Sequence, residues 1–173
     1  MSAGYGLRSA QAWPSLLAER LLKQSSGYAV VNASISGETT AGGRTRLPDA
    51  LQRHQPRIVI IALGANDGLR GLSLDAMRDN LRAMISDAQR ARAKVLLIGM
   101  QMPPNYGPQY TQKFRAVFTD LAATTKVALV PFLMEGFAEK RSLFQADTIH
   151  PTAAAQPLIL ENIWPTLSRL FKK

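Results

Sequence analysis

The chain contains no cysteine among its 173 residues. That excludes disulfides, thiolate nucleophiles and cysteine–zinc sites, and it leaves the redox compartment undetermined. Histidine is nearly as scarce, with only His54 and His150. The two are not paired at helical spacing and no carboxylate cluster accompanies them, so they form a poor ligand set and no metal is expected. Long apolar runs are missing too. The longest, such as Ile58 to Leu63 and Val95 to Ile98, are strand-sized and far too short to cross a bilayer, so no stable membrane insertion is expected. Ala41-Gly42-Gly43-Arg44 lacks the lysine and the spacing of a phosphate-binding loop. No signal peptide is visible. Localisation stays open, and a full-length form carrying such a peptide would be periplasmic or secreted.

What is present fits one ordinary globular domain. The size prior gives a single domain over residues 1–173, with 46% hydrophobic and 19% charged residues and no linker or second composition regime. The net charge of +9 raises nucleic acid or an anionic surface as a partner. Arg78, Arg82, Arg90 and Arg92 are, however, interspersed with Asp79 and Asp87 on one amphipathic stretch, and no nucleic-acid motif or basic–aromatic patch appears. No nucleic-acid partner is expected.

Strand-like and helical patterns alternate. Tyr28–Asn32, Arg57–Leu63, Lys94–Met100 and Val127–Phe132 are short apolar runs bounded by polar, Gly or Pro residues, and they predict buried parallel strands. Helices are predicted over Trp13–Gln24, from a Ser73 cap to about Arg92, over Tyr110–Thr124 and over about Thr152–Phe171. The alternation implies βαβ crossovers and an α/β sandwich with a parallel sheet. In such sheets the functional loops lie at the carboxyl ends of the strands. Ser34–Thr39, Gly64–Gly71 and Gln101–Pro108 fall there, and a short polar loop, Asp147-Thr148-Ile149-His150-Pro151, precedes the last helix.

His150 has two readings: a capping or core-satisfied imidazole, or a general base whose tautomer is set by the nearby Asp147. His54, at a helix end, reads as structural. Asn66 in Gly64-Ala65-Asn66-Asp67-Gly68 can be ordinary turn chemistry or a side-chain donor to a developing oxyanion. Gly37 has the same ambiguity, since glycine permits positive φ and also lets a backbone N–H approach a substrate closely. Asp67 reads as a brace for the turn. Methionines 100, 102 and 134 suit either an adaptable apolar groove or a core.

Four blocks in this order carry a resemblance. They are Val30 to Gly37, Leu63 to Gly71, Pro103 to Gly107, and Asp147 to Pro151. Through them the chain closely resembles the SGNH (GDSL-type) hydrolases, in the bacterial arylesterase, acyl-CoA thioesterase I and lysophospholipase subgroup. The resemblance implies a three-layer, flavodoxin-like α/β/α sandwich and a serine hydrolase without a cofactor. Its substrate would be a small-molecule acyl ester or thioester. Gly37 and Asn66 match the oxyanion-hole positions, and Asp147 and His150 the acid and base. Asp67, Gly68, Leu69, Met102 and Pro103 match segments lining the acyl-binding groove. Ala65 stands where the subgroup often has Gly, and Glu38 where it often has Asp.

The family's first block reads Gly-Asp-Ser-Leu-Ser-Ala-Gly-Tyr, and this chain begins Met1-Ser2-Ala3-Gly4-Tyr5. The resemblance therefore implies a truncated domain without the nucleophile and without the first, internal strand. The expected consequences are impaired or absent activity, unpaired strand edges and self-association through the gap. Ser2 is expected not to substitute, because two residues along its hydroxyl points elsewhere. The alternative reading is a non-catalytic fragment or pseudoenzyme that at most binds acyl chains.

Overall fold

A computed structural model describes residues 1–171. Its helices are α1 (Trp13–Lys23), α2 (Thr40–His54), α3 (Ala65–Leu69), α4 (Leu74–Arg90), α5 (Pro108–Thr125) and α6 (Gln156–Leu170). Its strands are β1 (Ile58–Ile61), β2 (Lys94–Ile98) and β3 (Ala128–Val130). The class is α/β, and the chain divides into two compact units, each assembled from separate stretches of sequence.

The unit of residues 37–133 and 166–173 carries the sheet. β2 is its central strand, parallel to β1 on one side and to β3 on the other, with Ile60 opposite Leu96 and Leu97 opposite Leu129. Val95 to Ile98 are all buried, as the unbroken apolar run of a central parallel strand requires. α4 packs on β2 and between α2 and α5, and α5 also packs on β3. Burial of Met77, Leu81, Met84 and Ile85 on one face of α4 follows the helical period. Ser73 caps α4 through its side chain, which accepts from the Ala76 N–H. On the outer face Arg78, Arg82 and Arg90 each pair with the aspartate three residues earlier.

The unit of residues 1–36 and 134–165 holds α1 and most of α6. Ala12 offers no side-chain cap to α1. The buried Gln156 supplies one instead, its side-chain oxygen accepting from the Trp13 N–H at 3.1 Å. Arg20 of α1 pairs with Glu161 of α6, and its guanidinium lies 4.7 Å from the centroid of the Trp164 ring.

The strand expected at Tyr28–Asn32 does not form. An apolar run suits a strand, but a strand also needs a partner ladder, and β1 takes β2 as its neighbour. A side chain that a buried strand would cover stays in solvent, with Val31 59% exposed. The Asn66 turn also differs from expectation, since residues 65–69 wind into a short helix. Gly64, at φ +109°, makes the entry, and a Cβ there would press on Phe118 and Met77.

Candidate active site

In the sheet-bearing unit the loop after β1 and the start of α2 are locked together. Asp67, 3% exposed, accepts from the Thr40 N–H at 2.9 Å and from the Thr40 hydroxyl at 2.5 Å. Asn80 on α4 donates its side-chain amide to the same hydroxyl at 3.2 Å. Both carboxylate oxygens of Asp67 are thus engaged, so Asp67 acts here as a brace between two elements.

Asn66 is half-buried, and its Nδ2 donates to the Glu38 carbonyl at 2.8 Å. A side-chain amide carries two N–H groups. One is spent fixing its orientation; the other is the donor of interest. Gly37 lies exposed in the preceding turn at φ +76°, a conformation glycine adopts without a Cβ penalty. Its carbonyl accepts from Arg70 Nη2 at 3.0 Å, and Glu38 pairs with Arg46 at 2.8 Å.

The end of α3 is held from a third direction. Tyr106 donates its hydroxyl to the Leu69 carbonyl and Tyr110 to the Gly68 carbonyl, both at 3.0 Å. Burial first, then the neighbouring Tyr106 and Asp67, pushes the Tyr110 phenol above its ordinary range, which keeps it a neutral donor. Gly68 is buried and has no room for a side chain, because Met102 and Phe114 occupy the space a Cβ would need. Of the residues expected to line a groove, Asp67, Gly68 and Met102 are buried, Leu69 is half-buried and Pro103 is exposed.

The other unit carries the Asp–His loop. An isolated antiparallel bridge between Phe144 and Pro151 closes it, with the Gln145 N–H donating to the His150 carbonyl at 2.8 Å. Within it Asp147 Oδ1 accepts from the Ile149 and His150 N–H groups, each at 2.9 Å. Oδ2 lies 2.7 Å from His150 Nδ1. Thr148 adopts φ +62°, a left-handed conformation that a β-branched residue rarely takes. The strain is local and sits where the loop must turn to aim both side chains. The backbone N–H of His150, then its side chain, then the Ile149 N–H hold the Asp147 carboxyl at about 2, down from 3.8. Asp147 is therefore ionised at neutral pH and fixes the imidazole with Nδ1 as the bonded nitrogen, leaving Nε2 free of that role.

Ser2 is buried, and its hydroxyl accepts from the Trp13 indole N–H at 3.2 Å, while its carbonyl accepts from Asn32 at 3.1 Å. It anchors the N-terminal turn to α1 rather than capping a helix. Sequence reasoning overlooked Tyr5, whose ring centroid lies 4.4 Å from that of His150, and Gln145, which bonds both segments. The Gly4-Tyr5-Gly6 pattern was the available signal. Among the described residues, no group of three or more His, Cys, Asp or Glu side chains could hold a metal ion, and no helix is long and apolar enough to cross a membrane.

An imidazole held by an aspartate in an accessible loop is a pairing that hydrolases on several unrelated folds use. Comparison with known proteins narrows that class. Residues 1–157 match the GDSL-like lipase/acylhydrolase family. Esterase TesA of Pseudomonas aeruginosa is 51% identical over 170 residues, 98% of this chain and 85% of that protein. Thioesterase 1/protease 1/lysophospholipase L1 of Escherichia coli K12 is 43% identical over 161 residues, 93% of this chain and 76% of that protein. Among solved structures, the psychrotrophic esterase EstA from Pseudoalteromonas sp., inhibited by monoethylphosphonate, superposes with a TM-score of 0.92 at 40% identity, covering 97% of this chain and 92% of that one. The chain belongs to the GDSL-like lipase/acylhydrolase family of SGNH-type hydrolases.

Proposed function

We propose that this protein's site hydrolyses small acyl esters or thioesters by a serine mechanism. The relatives' names, an esterase and a thioesterase/lysophospholipase, support that substrate class. The observation that carries the reading is the 2.7 Å contact between Asp147 and His150 within a loop built to hold both.

In the proposed reaction a serine hydroxyl attacks the acyl carbonyl carbon and gives its proton to His150 Nε2. The carbonyl oxygen gains the negative charge, and the Gly37 N–H and the second Asn66 N–H donate to it. Collapse of the intermediate expels the alcohol or thiol, which takes the proton from His150. Water then attacks the acyl-serine with the same proton route, releasing the carboxylic acid and regenerating the serine. Asp147, held ionised, stabilises the imidazolium formed in both steps. Asp67, Gly68, Leu69, Met102 and Pro103 are assigned to the acyl-binding side, and the site needs no cofactor.

The nucleophile in this proposal is the serine of a Gly-Asp-Ser block, which residues 1–173 do not include. Ser2 is an unsuitable replacement because its hydroxyl is buried against Trp13. The second reading, for residues 1–173 taken alone, is a protein that binds acyl chains without turning them over. Hydrolysis of p-nitrophenyl butyrate separates the two. Residues 1–173 should give the blank rate, and the same chain preceded by a Gly-Asp-Ser strand block should turn over, with a loss on the order of 10³-fold or more on His150→Ala. An inactive extended chain that folds would sink the hydrolase reading. A rate from residues 1–173 that Ser2→Ala removes would overturn the assignment of the nucleophile.

A further inference from the structure

The contact with Asp147 fixes the His150 imidazole at one point, Nδ1. That one hydrogen bond and the covalent tie at Cβ still let the plane of the ring rock, which would swing Nε2 off its line. General-base catalysis requires Nε2 to stay on one line toward the hydroxyl it deprotonates, and displacements of about 1 Å are enough to slow such steps severely. Something must hold the ring's plane.

Tyr5 is placed to do so. Its ring lies 4.4 Å from the imidazole, centroid to centroid, with the planes tilted 34° apart, at the short edge of the distances at which aromatic rings attract. It reaches that place through local backbone geometry. Gly4 at φ +68° and Gly6 at φ +70° flank it, so the chain reverses on both sides and Tyr5 stands at the tip of the turn. Gly6 is also required sterically, because the Gln145 carboxamide fills the space where a Cβ would stand. That carboxamide tethers the two segments: its Nε2 donates to the Tyr5 carbonyl at 2.8 Å and to the Pro151 carbonyl at 3.1 Å. The residue that closes the Asp–His loop thereby also holds the turn that presents Tyr5.

We propose that Tyr5, presented by the Gly4–Gly6 turn and tethered by Gln145, is a positioning residue that fixes the plane of the His150 imidazole. The inference rests on the reading of His150 as the base. The contact uses the ring and not the hydroxyl, so phenylalanine replaces tyrosine and alanine does not. Tyr5 is 53% exposed, so its truncation opens no core cavity.

The test is NMR on residues 1–173 with isotopically labelled histidine. In the native chain the ring protons of Tyr5 and His150 should show mutual NOEs, and the imidazole should be rigid, with an order parameter of about 0.85. Tyr5→Ala should lower the His150 ring order parameter to about 0.6 or below, leaving the Trp13 indole signal and the melting temperature unchanged. Tyr5→Phe should restore the native value. An imidazole as rigid in Tyr5→Ala as in the native chain, or one that Tyr5→Phe fails to restore, overturns the proposal. Failure of the hydrolase reading shows itself differently: the ring is ordered by Tyr5, yet turnover of the Gly-Asp-Ser-bearing chain ignores His150→Ala. That outcome would remove the functional half of the inference.

Discussion

Asp67 and Asp147 are both aspartates with both carboxylate oxygens engaged, yet they are held by opposite means. Asp67 is 3% exposed, and Thr40 alone supplies a donor to each of its oxygens. Around it Gly64 and Gly68 are packed so closely that neither position has room for a methyl group without displacement. The Asp147 side chain is 36% exposed, and its loop is held by N–H groups, one bridge and a tilted ring contact. The first region is rigid because it is packed. The second is held by hydrogen bonds and one ring contact, and it stays accessible, as the proton transfer proposed for His150 requires.

That contrast can be broken from either side, beginning with the largest effect. Asn66→Ala removes a donor from the packed region without touching the brace. In the Gly-Asp-Ser-bearing chain it should lower kcat for p-nitrophenyl butyrate by about 10²–10³-fold while the melting temperature hardly moves. Asp67→Ala should act first on stability. It leaves the buried Thr40 N–H and hydroxyl short of an acceptor, and urea titration should show a loss of about 3 kcal/mol.

Gly6→Ala places a side chain at φ +70° and against Gln145. It should cost about 1–2 kcal/mol in the same titration and disorder the turn that carries Tyr5. Asp147→Asn should change stability least, within about 0.5 kcal/mol at neutral pH, because an asparagine oxygen can still accept from the Ile149 and His150 N–H groups.

The small Asp147 effect should carry a pH signature. Its carboxyl titrates at about 2 in the folded chain, below its ordinary value of 3.8, so the folded state favours the ionised form. The stabilisation it contributes is complete above that ordinary value and fades as pH falls through about 2. Urea titrations of the native chain and of Asp147→Asn should therefore converge between pH 4 and pH 2. Curves that run parallel over that range would show that the charge of Asp147 contributes nothing to the loop.

Much of the architecture was legible before any coordinates. The expected runs at Arg57–Leu63, Lys94–Met100 and Val127–Phe132 each contain a parallel strand, shorter than the run, at Ile58–Ile61, Lys94–Ile98 and Ala128–Val130. Ser73 sits where a cap belongs, and it caps. The proximity of Asp147 and His150 could be read from a spacing of three in a loop ended by proline. The strand expected at Tyr28–Asn32 failed because an apolar run sets a conformation for one segment, whereas a ladder requires two. Asn66 and its neighbours were read as a turn because Gly, Asn and Asp suit turns, yet Thr40 and the tyrosine hydroxyls hold them in a helix.

By itself, then, the sequence determined the α/β class, the strand and helix periods and the membership of a hydrolase family. Each of these rests on neighbours a few residues apart or on whole blocks in order. The tertiary structure alone decided which partners complete each group. Gln156 caps a helix 143 residues away, Asp67 braces Thr40 across 27 residues, and Gln145 ties the Asp–His loop to Tyr5 across 140. Such pairings depend on how the backbone returns on itself. Burial then enforces them, because polar groups taken out of water must find partners, and spacing along the chain does not say which.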